Sequence, residues 1–419
     1  MLSCLYRFGL FFIALSTAAT AQDQMGPPLS LNDVVKRVLD VNPELHGQRF
    51  ALAGADARRE QAALRPPVEL GVDAENVFGT DRLSALDDAE LTLQLSTVLE
   101  LGGKRDLRVD AAQRERDLML TGFNARRLDL IAEATRRFIW LVAAERTRAL
   151  LQQSQALAAA TREAVRQRVV AGRATALEQQ NAEIVLTRVG IEVRGAETEI
   201  AQSWHALSAM WGGAGPMSPT SAELFVLPEL APVTALEALM QDNPSLGRFA
   251  TERRVEEAKV RLAEAQSHPD VTVAAGIRRL QADRSNALVL SASVPLGAGS
   301  RAVAYAAEAR SRLAEVDSRE QALRSELKAV LVGAHLEASR RTSELSTLRD
   351  AAVPGAEAAV TLAQDGFSAG RYSLLELLSA QQQLIDLQRQ SIAAAVGYHM
   401  AVIEIERLTA QSATQTPAP

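Results

Sequence analysis

The chain contains the same arrangement twice. An Asn-Pro pair at Asn42-Pro43 recurs at Asn243-Pro244, 201 residues further on. Ala171-Gly172-Arg173, followed by Leu177-Glu178 and Ala182, recurs as Ala369-Gly370-Arg371, Leu375-Glu376 and Ala380 at an offset of 198. Between these, Ser96-Thr97-Val98-Leu99 matches Ser293-Val294-Pro295-Leu296 at an offset of 197. Three pairs in one order at nearly one spacing define two copies of a unit of about 200 residues. Residues 22–211 read as the first repeat, 212–232 as a Gly/Pro-rich linker, 233–409 as the second repeat and 410–419 as a flexible tail.

Each unit has the same plan. A helix of about 35 residues comes first (Leu31–Leu64; Ala235–Gln266), opened in the first copy by a Ser30/Asp33 capping box and stopped by Pro66-Pro67 or Pro269. Two short segments follow, within 68–99 and 270–296. A very long helix comes next, Lys104–Val169 and Arg301–Gln364. A Gly-containing break then leads to a returning helix that runs to Trp211 and to Thr409. About 65 residues at ~1.5 Å each make a rod of ~98 Å, far longer than a domain helix. Along the second rod, Leu313, Val316, Leu323, Leu327, Val330 and Ala334 form a coiled-coil-like seam. Composition agrees: 47% hydrophobic but only 4% aromatic residues favour long helices with thin seams over a thick core.

The short segments alternate with period two, which predicts strands with one apolar and one polar face. Val68, Leu70, Val72 and Ala74 alternate with Glu69, Gly71, Asp73 and Glu75; Leu91, Leu93 and Leu95 alternate with Thr92, Gln94 and Ser96. Val271, Val273, Ala275 and Ile277, then Leu288, Leu290, Ala292 and Val294, repeat the pattern with Thr272, Arg278, Ser291 and Ser293 opposite. Gly79–Asp87 and Gln281–Ser285 are the hairpin loops. Such a sheet could pack on a helix. Its small uniform apolar face and charged opposite face suit lipid outside and water inside instead, and its strands of about 8–11 residues match a tilted crossing of a bilayer. Unpaired strand edges in hydrocarbon cost several kcal/mol each, so such a sheet must close. The smallest closed membrane barrels have about eight strands, so four cannot close alone and copies must combine. A trimer would give twelve strands, each copy donating four.

The N-terminus reads as an export signal: Arg7, the apolar stretch Phe8–Ala19, and Ala19-Thr20-Ala21 as the cleavage pattern, so the mature chain starts near Gln22. The only cysteine, Cys4, lies inside it, which excludes a disulfide, a thiolate metal site and a thiol nucleophile downstream, and no lipoprotein acceptor pattern is seen. A net charge of −6 gives no basic field for nucleic acid. The five histidines, His46, His205, His268, His335 and His399, are scattered without ligand spacing, so no metal site and no cofactor is expected. Gly102-Gly103-Lys104 lacks Walker spacing, and no catalytic constellation stands out.

Leu95–Arg105 (LSTVLELGGKR) with the Ala/Arg-rich helix behind it, and Gly366–Leu384 (GFSAGRYSLLELLSAQQQL), resemble the TolC-like outer membrane efflux proteins, with Leu99–Arg105 most similar to the branch serving cobalt–zinc–cadmium-type cation efflux. The resemblance covers nearly the whole mature chain. It implies a mainly α fold with a transmembrane β part: a trimeric twelve-stranded outer membrane β-barrel continuous with a periplasmic α-helical coiled-coil tunnel. It further implies a homotrimer docked to a periplasmic adaptor (membrane fusion) protein and an inner membrane resistance–nodulation–division (RND) transporter. Such a chain is a passive duct, not an enzyme. The family's constriction is made by acids just after the tip turn. Glu376 matches one such position; Ser379 stands where a second acid is expected, a departure; Glu178 and Asn181 are the equivalents in the first repeat. Glu376 and Glu178 also read as helix-start acids held by the helix dipole. The tip turns, Gly172-Arg173 and Gly370-Arg371, are candidate adaptor contacts or plain surface. Drug efflux and type I secretion stay open within this class. A soluble periplasmic coiled-coil scaffold or adaptor is the reading from another class, and an exported hydrolase a distant third.

Overall fold

The computed structural model describes residues 28–83, 86–213 and 215–411; the export signal and nearly all of the C-terminal tail lie outside the described residues. In chain order the helices are α1 (Leu31–Val41), α2 (Pro43–Ala63), α3 (Lys104–Val170), α4 (Ala176–Ser208), α5 (Val233–Leu239), α6 (Pro244–Ala265), α7 (Ala298–Thr347), α8 (Val353–Ser368) and α9 (Leu374–Thr409). The strands are β1 (Glu69–Glu75), β2 (Glu90–Leu99), β3 (Val271–Leu280) and β4 (Ser285–Ser293).

The first helix of each repeat is not one rod. It breaks at the repeated Asn-Pro pair, and the break has the same construction twice. Proline suits the first position of a helix because its missing N–H would be unpaired there anyway. The asparagine caps that new helix: Asn42 Oδ1 accepts from Glu44 N at 2.9 Å, and Asn243 Oδ1 accepts from Ser245 N at 2.8 Å. Each amide then reaches the end of its own repeat's returning helix, Asn42 donating to the Met210 carbonyl and Asn243 to the Leu408 carbonyl, both at 2.8 Å. The pair thus turns the chain and pins the repeat's beginning to its end.

The long helices differ between the copies. α3 runs unbroken for 67 residues, about 100 Å. Its counterpart is interrupted by a π-turn at Leu348–Ala352 before α8 begins. Pro354 is the cause: it has no N–H to give the Asp350 carbonyl, and its ring crowds that carbonyl, so the helix widens by a turn. The seam of α7 also departs from the sequence expectation. Val316, Leu327 and Leu331 are buried, whereas Val330 is exposed. After Leu327 the contact line advances by four residues rather than three.

The strands form one antiparallel sheet in the order β1-β2-β3-β4. Above the middle of the molecule, α2 lies on α3, α3 on α6 and α6 on α7; below it, α4 lies on α3, α3 on α9 and α9 on α8. The principal core is at the waist, where Phe138, Leu141, Trp204, Leu207, Ala394 and Ala395 meet. The linker after the first repeat is strapped onto this waist. Leu29 N donates to Pro219 O at 2.8 Å, Thr220 to Glu145, His399 Nε2 lies 2.8 Å from Leu224 O, and the Tyr398 hydroxyl donates to Pro228 O. Burial holds His399 below the usual imidazole range.

Candidate functional site

The sheet divides polar from apolar as its alternation dictates. Across the register, Val72, Leu93, Ile277 and Leu288 lie side by side, as do Leu70, Leu95, Ala275 and Leu290 one step along. No helix packs over this row among the described residues, and Leu70, Leu93, Ile277 and Leu288 are each more than half exposed. The alternative of a sheet packed on a helix therefore does not hold. A contiguous face of this kind on a soluble monomer is an association or membrane surface.

The other face is built from charge. Arg278 donates to Thr92 Oγ1 at 3.0 Å and to Glu90 at 2.8 Å, and lies 3.2 Å from Glu75. Gln94 donates to Asp73 at 2.8 Å. Gln94 sits between Gly71 and Gly276, and a Cβ at Gly276 would run into the Leu93 carbonyl and the Gln94 side chain. β1 and β4 keep open edges.

The Leu99–Arg105 segment is the joint between sheet and rod. Gly102 adopts a left-handed φ of 71°, and a side chain there would collide with His268 at the foot of β3. Gly103, also left-handed, opens α3. Lys104 is buried and donates to Asp270 at 2.8 Å, while Leu101 N donates to the same carboxylate at 3.1 Å. Glu100 accepts from Arg108 one helical turn further on, at 3.0 Å from Nη2. The motif thus binds the first repeat to the second where strands give way to helices.

The opposite end carries the two tip turns, and they are copies. At each, the chain leaves one helix through a left-handed glycine, Gly172 (φ 69°) and Gly370 (φ 75°). Arg173 N returns to Arg168 O and Arg371 N to Gly366 O, both at 2.8 Å, which closes a Schellman turn. Two residues later the next helix starts with a full capping box. Thr175 and Glu178 exchange bonds in the first repeat, Ser373 and Glu376 in the second, with Ser373 N at 2.7 Å from the Glu376 carboxylate. The Ser373 backbone and hydroxyl hold the Glu376 carboxyl below its ordinary range.

The candidate residues are thereby placed. Gly172, Arg173, Gly370 and Arg371 lie exposed at the ends of adjacent hairpins. Glu376 is exposed and Glu178 half-buried, each one turn into its helix; Asn181 and Ser379 lie exposed one turn beyond. Both glutamates are capping acids, as the helix-start reading has it, and an exposed capping carboxylate still faces water with one sign of charge. The sequence reading missed their cap partners, Thr175 and Ser373, although the Ser/Thr-x-x-Glu spacing was there to find them. It also missed the bonds between hairpins. Arg168 donates to the Phe367 carbonyl, with its guanidinium 4.3 Å from the centre of the Phe367 ring. Gln381 donates to Thr161 at 3.0 Å in a buried contact. Arg188 donates to Gln382 at 2.9 Å, and Arg389 pairs with Glu192. Among the described residues no cluster of three His, Cys, Asp or Glu side chains is placed to hold a metal.

A sheet with one bare apolar face, joined to rods that end in paired tip turns, defines a membrane channel protein. The chain belongs to the outer membrane efflux protein family, whose profile matches residues 34–213 and again 235–411. It is 26% identical over 404 residues to the cobalt-zinc-cadmium resistance protein CzcC of Cupriavidus metallidurans, covering 95% of each chain. It is 26% identical over 288 residues to that organism's nickel and cobalt resistance protein CnrC, covering 68% of this chain and 66% of that one. In fold it is similar to the outer membrane protein VceC of Vibrio cholerae, with a TM-score of 0.71 and 19% identity over 90% of this chain and 95% of that one.

Proposed function

We propose that three copies of this chain close into one twelve-stranded barrel in the outer membrane, and that the rods below form a water-filled duct through which heavy-metal cations leave the cell. The bare apolar face of the four-stranded sheet carries this reading. Its edges are open, and lipid offers no partner for the exposed N–H and C=O groups of β1 and β4, so further copies must supply them. The duct is passive. An inner membrane RND transporter supplies the energy and a periplasmic adaptor bridges to the tip turns, where Arg173 and Arg371 meet it. Full-length similarity to a cobalt-zinc-cadmium resistance protein supports metal cations as cargo. At the mouth, Glu376 from each copy forms a ring of like charge that favours cations over anions. Ser379 and Asn181 leave that ring with fewer acids than the residue pattern of the family allows. Two measurements test the reading. Detergent-extracted protein sized by light scattering is expected to be a trimer that forms cation-preferring channels in planar bilayers. Deleting the gene is expected to sensitise the cell to cobalt, zinc or cadmium. A monomer soluble without detergent overturns the duct, and unchanged metal tolerance overturns the cargo.

A further inference from the structure

We infer that the copies meet below the membrane through one specific helical seam: the stripe Leu177, Ile184 and Ile191 on α4 of one copy packs against the stripe Ala358 and Leu362 on α8 of the next. The inference rests on the trimer reading and adds the surface by which its lower half is sealed.

The α4 stripe has heptad spacing and no partner among the described residues of its own chain. Leu177, Ile184 and Ile191 are 70%, 56% and 57% exposed. Ala182, Val189 and Ala196, which are buried in the protomer, lie on the opposite side of the same helix. Apolar residues repeating every seven positions on a long helix are a coiled-coil contact line, and such a line wants a second helix. α8 presents the complement. Its buried line is Ala356, Val360, Ala363 and Phe367; Ala358 and Leu362 face away from it, with Leu362 57% exposed. A small residue beside a large one makes a hole that a branched knob can enter.

The topology says who fills it. The lower helices touch in the sequence α4, α3, α9, α8, which leaves α4 and α8 as the two ends of the layer. Above them the layer runs α2, α3, α6, α7, and above that the sheet runs β1 to β4. One side of the protomer is therefore β1, α2 and α4, and the other is β4, α7 and α8. Any arrangement that pairs β1 of one copy with β4 of its neighbour carries α4 alongside the neighbour's α8. Heights agree as well. Thr161 and Gln381, which hydrogen-bond at 3.0 Å, each stand eleven residues from their own tip glycine, so the two tips of a chain are level. Counting from Gly172 and Gly370, Ile184 and Ala358 are each twelve residues up, and Leu177 and Asp365 each five.

The test uses the full chain with Cys4→Ser, which then contains no cysteine. Ile184→Cys is combined with Ala358→Cys, and separately Leu177→Cys with Asp365→Cys, and each protein is oxidised in detergent. The seam predicts that most of the monomer band on a non-reducing denaturing gel shifts to dimer and trimer for both pairs and returns on reduction. Each single-cysteine variant should stay monomeric on the same gel. A protein that sizes as a trimer yet gives no covalent ladder for either pair overturns the seam and leaves the trimer standing. A protein that sizes as a monomer overturns the trimer reading itself. A disulfide formed within one chain, seen as a shifted monomer band, places the two stripes together inside a protomer and also overturns the seam.

Discussion

Lys104 and Asp270 stand 166 residues apart and meet in a 2.8 Å ion pair at the joint between sheet and rods. The lysine side chain is 5% exposed and the aspartate 32%. Removing one partner of a buried pair strands the other charge, which costs more than the pair itself contributes. Lys104→Met should lower unfolding stability by about 2 kcal/mol, less than the ~3–5 kcal/mol of a fully buried pair because Asp270 keeps some water. Asp270→Asn combined with Lys104→Met should cost less than the sum of the single changes. Strict additivity in that double-mutant cycle would mean that the two residues do not act as a pair.

The two faces of β2 predict opposite outcomes for neighbouring residues. Leu95 lies on the bare face between Leu70 and Ala275, while Ser96 lies on the charged face between Glu69 and Ala274. An arginine on the lipid side of a barrel near mid-depth costs ~2–4 kcal/mol per copy, and in a trimer that cost recurs threefold. Leu95→Arg should therefore abolish recovery from the outer membrane fraction. Ser96→Arg, placed opposite Glu69, should be recovered at ordinary yield. Equal recovery of both variants would remove the lipid-facing assignment of the sheet.

These faces were legible because a period of two leaves no ambiguity once a strand is granted, and the duplication repeats each reading. The breaks were harder. Asn42-Pro43 sits between stretches with the same helical period, so the pattern runs through it; only the capping chemistry of Asn followed by Pro marks the turn. Pro354 was a visible signal for the π-turn, yet the helix-forming residues on both sides of it suggested one rod. Val330 was misassigned because three-residue and four-residue steps both fit an Ala/Leu-rich helix until a partner chooses. At the tips, the acids could be read as gate or cap from sequence, and the capping partners stood only three residues before them. Arg168 reaching Phe367, 199 positions away, has no local signature at all.

Glu406 gives the fold a pH dependence. Burial alone pushes its carboxyl up to about 7. In the unfolded chain the group ionises near its ordinary value of 4.5, so between that pH and about 7 the folded state holds a proton that the unfolded state has lost. Stability conferred at low pH is thus lost as pH rises through that window and stays lost above it. Glu406→Gln removes the ionisable group while keeping its size. It should raise unfolding stability at pH 8 by about 3 kcal/mol and change it little at pH 4. Chemical unfolding at the two pH values decides; an equal effect at both would show that ionisation is not the cause.

Glu376 separates cap from charge in one substitution. Glutamine at the third helical position can still accept from the Ser373 N–H, so Glu376→Gln keeps the capping box while losing the negative charge. The α9 start should then stay folded, and the channel's preference for cations in a salt gradient should fall. Glu376→Ala loses both functions and should also loosen the tip, seen as faster proteolysis near Gly370. If Glu376→Gln conducts with the selectivity of the unaltered protein, the residue is a cap and nothing more.

The bonds between the hairpins predict how easily the mouth opens. α4 is tied to α9 by Arg389 with Glu192 and by Arg188 with Gln382, and the tips are tied by Arg168 with Phe367. Arg389 and Glu192 are each about a third exposed, at 39% and 34%, so water screens the pair and it contributes no more than ~1 kcal/mol. Breaking it should shift a closed-to-open balance roughly fivefold per copy, since ~1 kcal/mol is about that factor. Arg389→Ala should therefore raise the open fraction of single channels without changing the trimer on sizing, and Arg389→Lys should restore part of the closed fraction through charge alone. Arg168 is the stronger link because its guanidinium also covers the Phe367 ring and is shielded between the hairpins, so Arg168→Ala should open the mouth further than Arg389→Ala. The reverse order in conductance recordings would place the restraint in the upper ion pair rather than at the tip.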